Sequence, residues 1–139
     1  MTRPEIEHIG PHLIREAYKD RIMILTIKSL THANIDLWYK TTDEWYTQVE
    51  NLASVDARFS LMLHDFSPTQ GAATPYSRAR AQDLVLRHPT LKGRSAIVIA
   101  HALYVQMLTQ HLISHLEGNI ERQTFHDREV ALRWLEAWL

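Results

Sequence analysis

The chain has 139 residues, 45% of them hydrophobic and 22% charged, the composition of one folded domain with a core of its own. Lys and Arg number 15 against 16 Asp and Glu, and the resulting net charge of −1 excludes a nucleic-acid binder held by bulk charge. The absence of Cys excludes disulfide frameworks, thiol nucleophiles, thiolate zinc sites and iron–sulfur clusters.

Residues 1–11 hold two Pro, one Gly and mixed charge, and read as a loosely ordered N-terminal arm ahead of a single domain over residues 12–139. The first residues have no apolar leader, and the longest apolar runs, IMILTI and AIVIAHALYV, fall far short of the roughly 20 residues that span a bilayer. A cytoplasmic protein without an integral membrane segment is expected. HLIREAY and IMILTIKS flank Lys19-Asp20-Arg21 and read as a hairpin whose turn type the residues leave open. In the second run Ile22, Ile24 and Thr26 share one face and Met23, Leu25 and Ile27 the other, as in a strand covered on both sides.

Residues 32–53 change period. Ile35, Trp38, Thr42, Trp45, Val49 and Leu52 recur at spacings of three and four, which predicts an amphipathic helix. RFSLMLHDF over residues 58–66 reads as a buried strand, followed by the loop SPTQGAA. Thr74-Pro75 reads as a helix start, with Thr at the N-cap and Pro at the first helical position. Pro89 stops that helix near His88. Residues 95–100 (SAIVIA) read as an interior strand and residues 102–116 as a helix ended by Gly118-Asn119. Residues 120–125 read as a short edge strand. Asp127 caps a last helix whose expected buried face is Val130, Ala131, Trp134, Leu135 and Trp138. The order is β-β-α-β-α-β-α-β-α, which predicts an α/β fold: one mixed, mostly parallel sheet of about five strands with four helices.

The strand ending in LMLHDF with Asp65 near its end, the strand GRSAIVIA from Gly93, and the tail TFHDREVALRWL together resemble the STAS domain superfamily, in its SpoIIAA-like branch, which is related to the CRAL-TRIO lipid-binding fold. The resemblance covers residues 12–139 and implies a non-enzymatic regulatory or protein-interaction module of the anti-anti-sigma kind. That family carries an Asp-Ser-Ser-Gly-like stretch, with a phosphorylated Ser, between its third strand and second helix. Here SPTQGAATPYSR stands in its place. The partner-binding or phosphoswitch candidates are accordingly Thr74, Ser77, Ser67, Arg78 and Arg80. A partner would dock near residues 67–77.

Five further constellations carry chemistry on the residues alone. Trp38, Trp45, Tyr104 and Met107 could line an apolar cavity between sheet and helices, which makes a small apolar-ligand or lipid-binding protein the alternative function. His64, Asp65 and His101 lie at the ends of two strands and could border one crevice, the basis for a third reading as a hydrolase or metal enzyme. Adjacent residues of a strand, however, point to opposite faces. His111 and His115 stand four apart on a helix but form too small a set for zinc; no metal and no cofactor is expected. Arg78, Arg80, Arg87, Lys92 and Arg94 read as a local positive region suited to an acidic partner or headgroup. The helix over 102–116 is apolar around most of its circumference, which predicts either a covering helix or self-association as a homodimer through those residues.

Overall fold

A computed structural model describes residues 5–139. It contains six strands: β1 (Glu5–Gly10), β2 (Leu13–Tyr18), β3 (Ile22–Ile27), β4 (Phe59–Asp65), β5 (Lys92–Val98) and β6 (Asn119–Phe125). The four helices are α1 (His32–Glu50), α2 (Pro75–Arg87), α3 (Leu103–His115) and α4 (Arg128–Glu136). The strands lie in chain order across one sheet. Pairings β1/β2 and β2/β3 are antiparallel, while β3/β4, β4/β5 and β5/β6 are parallel.

The α/β class holds, and two expectations are corrected. The sheet has six strands rather than about five, and, though mixed as expected, it is not mostly parallel, with two antiparallel pairings beside three parallel ones. The difference arises at the N-terminus, where Glu5–Gly10 pairs with β2 instead of forming a loose arm. This is an edge strand. Its charged residues and the irregularity between His8 and Gly10 hide the alternation that marks interior strands. Residues 1–4 of the expected arm lie outside the described residues.

The β2–β3 hairpin closes through Lys19 and Asp20, both at positive φ (52° and 54°), with the Arg21 N–H bonded to the Tyr18 carbonyl at 3.1 Å. Positive φ at both central residues belongs to the type I′ turn, whose twist suits a hairpin. The three parallel steps each cross over through a helix and all advance the same way, so α1, α2 and α3 cover one face. On that face Met23, Leu25, Ile27 and Met62 meet Ile35, Trp38, Tyr46 and Leu84. The chain then turns back, and α4 covers the opposite face, packing Ala131 and Leu135 on Ile24, Leu61, Leu63 and Val98. Of the face expected for this last helix, Val130 and Trp138 are exposed; nine helical residues bury only a narrow stripe.

The helix ends follow their sequence signals. Thr74 and Ser77 form a capping box, with Pro75 at the first turn of α2. Asp127 accepts from the N–H groups of Glu129 and Val130 at the start of α4. Helices α1 and α2 are further tied by polar contacts that climb in step: Asp36 with Tyr76 and Arg80, Tyr39 with Asp83, Asp43 with Arg87 and His88, and Glu50 with His88. Both helices therefore run the same way.

Candidate functional site

A cavity of about 110 Å³ lies between the sheet and the helices α2 and α3. Its floor is the face of β4, β5 and β6 that carries His64, Ser95, Ile97, Ile120 and Arg122. Its walls are Leu84 and Val85 of α2 and Thr109, Leu112 and Ile113 of α3, with Trp38 and Phe66 at one end. The lining is predominantly aliphatic and aromatic, as in sites for small organic molecules.

The register explains the floor. Met62, Ser95 and Arg122 are aligned partners across β4, β5 and β6, and His64, Ile97 and Thr124 form the next row. Ser95 and Arg122 thus stand side by side on the cavity face. Ser95 is only 4% exposed, and its Oγ has no hydrogen-bond partner among the described residues. The Tyr46 phenol lies nearby; burial raises its pKa, which the Ser95 hydroxyl and the Arg122 charge oppose without cancelling. Arg122 donates through Nη1 to the carbonyls of Glu117 (3.3 Å) and Ile120 (3.2 Å). Burial lowers the pKa of this guanidinium.

His64 is buried, and its Nδ1 accepts the Trp38 indole N–H at 3.0 Å. Burial, with the charge of Arg122 added, pushes the imidazole down to about 4. His64 is therefore a neutral group near pH 7, with its proton on Nε2.

The expected crevice of His64, Asp65 and His101 does not assemble. Asp65 points to the opposite face of β4. There it accepts from the N–H and Oγ–H of Ser67 (3.0 and 2.6 Å) and from Arg128 (2.9 Å). Arg128 also reaches Thr26 at 2.6 Å and Glu16 at 3.3 Å. His101 stacks on His126 with ring centroids 4.3 Å apart, and with Ser67, Gln70 and Tyr104 it borders an open depression on the surface. Among the described residues no hydrogen bond joins His101 to Ser67 or Asp65, and no group of three or more His, Asp or Glu could hold a metal ion.

Of the expected cavity residues, Trp38 lines the cavity. Trp45 instead donates to Ser60 Oγ at 3.2 Å, outside the lining. Tyr104 and Met107 are 59% and 61% exposed, because α3 turns its other stripe, Val105, Thr109, Leu112 and Ile113, toward the sheet. Leu103 and Leu108 join them on an outward apolar face. The candidates of the loop and second helix serve local structure: Ser77 is buried in the cap it forms with Thr74, and Ser67 bonds Asp65. The local positive region is largely neutralised by carboxylates of other elements. Arg80 pairs with Asp36, Arg87 with Asp43 (both 3.0 Å), and Arg94 with Glu121 (3.1 Å). Arg78 keeps a buried Nε without a partner among the described residues. His111 and His115 sit with ring centroids 4.3 Å apart on the exposed side of α3.

Sequence reading missed Ser95 and Arg122. Their adjacency depends on the β5/β6 register across 27 residues of chain, and no local spacing carries it. No protein-family model, no curated protein and no solved structure matches this chain. Among the described residues no helix is long and apolar enough to cross a membrane.

Proposed function

We propose that the protein is a non-enzymatic binder of a small, largely apolar molecule, held between the sheet and helices α2 and α3. The observation that carries this reading is the cavity itself, walled by Leu84, Leu112, Ile113 and Phe66. Its volume of about 110 Å³ is of the order of engineered cavities of ~150 Å³ that take up benzene. Burial of a guest's apolar surface there contributes roughly 25 cal/mol per Å² before ordering costs. Calorimetry with toluene, a single-ring guest of the size such a cavity admits, tests it. The expected result is saturable binding with one site per chain, lost in the cavity-filling variant Leu84→Trp. Toluene uptake that is absent, that never saturates, or that survives the filling of the cavity, removes the basis for the reading.

A second reading rests on the outward face of α3. Leu103, Tyr104, Met107 and Leu108 leave on one helix the kind of apolar patch that marks contact with another protein. In this reading the chain is a cytoplasmic STAS-like interaction module that self-associates through residues 102–116. Sedimentation of the full chain with and without Met107→Glu tests it: a dimer that the substitution splits supports the reading, and a monomer at high concentration refutes it.

A further inference from the structure

The cavity floor is not uniformly apolar, and its polar part is unbalanced. Arg122 brings a guanidinium to the lining, and its hydrogen-bond partners among the described residues are two backbone carbonyls. Those carbonyls do not neutralise its charge. Beside it, at the paired position of β5, Ser95 presents a buried hydroxyl that closes no hydrogen bond among the described residues, with the Tyr46 phenol as a polar neighbour. A buried donor without an acceptor is costly, and a cation in apolar surroundings more so. Arg80, Arg87, Arg94 and Arg128 meet carboxylates, whereas Arg21, like Arg122, donates to backbone carbonyls, but Arg21 lies outside the cavity. Arg122 is the cavity's own cation, and the one carboxylate of the lining, that of the exposed Glu117, forms no ion pair with it among the described residues.

We infer that the guest of this cavity is an anionic amphiphile of carboxylate type, its head held by Arg122 and Ser95 and its tail lying along Leu84, Leu112 and Ile113. This deepens, and rests on, the apolar-binding reading above. The carboxylate accepts from the guanidinium and from the Ser95 hydroxyl, which satisfies both groups at once. Tyr46 and the Nε2–H of His64 add neutral donors in the same neighbourhood, while the carboxylate of the lining belongs to Glu117, an exposed residue. At about 110 Å³ the chamber itself holds roughly four carbons of the tail, and because it is partly open to solvent a longer tail extends from it.

Calorimetry of the full chain with octanoate, 1-octanol and octylammonium at neutral pH tests the inference. The three share a tail and differ in the charge of the head. Octanoate is expected to bind more tightly than 1-octanol by about tenfold or more, and octylammonium least. Arg122→Leu is expected to abolish the advantage of octanoate while leaving 1-octanol binding in place. Arg122→Lys keeps the charge and serves if the leucine variant does not fold; it is expected to retain part of the advantage, and Ser95→Ala to reduce it. Equal binding of octanoate and 1-octanol overturns the anionic head while the apolar reading stands. Binding of neither overturns both. An octanoate advantage that persists in Arg122→Leu places the head elsewhere and overturns the assignment to this pair.

Discussion

Trp38 donates its indole N–H to Nδ1 of His64 across 3.0 Å, joining α1 to the centre of the sheet through one buried hydrogen bond. Only an imidazole without a proton on Nδ1 can accept it. Replacing Trp38 with Phe leaves that nitrogen buried without a donor, at a cost of about 1–3 kcal/mol. Chemical denaturation of the variant at pH 7 checks the value; an unchanged midpoint would show that the bond contributes nothing.

The same histidine makes stability depend on pH. Its value is depressed from 6.5 to about 4, so between these limits the unfolded chain binds the proton and the folded chain does not. Stability is retained above pH 6.5, falls as the pH drops toward 4, and loses nothing further from this group below that. The contribution amounts to at most about 3 kcal/mol. The difference in unfolding free energy between the native chain and His64→Gln, followed from pH 7 to 4, is expected to narrow across this window. A constant difference would contradict the account.

Asp43 acts in a lower window. Burial pushes its carboxyl up, but hydrogen bonds from Arg87 and His88 prevail and hold it below the usual 3.8. Its stabilisation is present above about pH 3.8 and is lost as the pH falls through the lower folded value. Asp43→Asn is expected to melt below the native chain at pH 7, with the gap closing under strongly acid conditions. Melting curves at both ends of that range are the measurement, and a gap that widens in acid would reverse the sign.

Arg128 is the counter-charge of the buried Asp65. Arg128→Met leaves a carboxylate on the α4 face without its cation, a loss of about 3–5 kcal/mol. The double variant Arg128→Met, Asp65→Asn is expected to recover part of it. If the double variant is no better than the single, the two residues are not coupled.

Gly93 cannot be replaced. A Cβ there would stand 1.9 Å from the Ser60 carbonyl oxygen, which is backbone of the neighbouring strand and cannot swing aside. Gly93→Ala is expected to cost at least about 3 kcal/mol by forcing β4 and β5 apart. A thermal midpoint within a degree or so of the native chain, on the scale where 1 kcal/mol shifts it by several degrees, would refute this.

Elements with strong local signals were legible from the residues alone. The three-and-four spacing of Ile35, Trp38, Thr42 and Val49 marks α1, and Thr74-Pro75 and Asp127 mark helix starts by their own hydrogen-bonding chemistry. Long-range information was not. Glu5–Gly10 is a strand because β2 offers an edge, not because its residues alternate. The arginines that read as a positive region meet Asp36, Asp43 and Glu121 only after folding. Helix α3 is apolar on both sides, so periodicity could not choose which stripe faces inward. Tyr104 and Met107 were as good a choice as Leu112 and Ile113 until the sheet decided.

The outer strands of the sheet have a consequence for how copies of this protein tolerate crowding. Glu7 and Arg15 are ion-paired at one rim, and Glu121 and Gln123 stand exposed on the other. A second molecule that tried to lengthen the ladder from either side would have to strip water from these groups before gaining any backbone bond. Fibrous stacking is thereby opposed at both ends, even though the strands between are rich in the branched aliphatics that favour it.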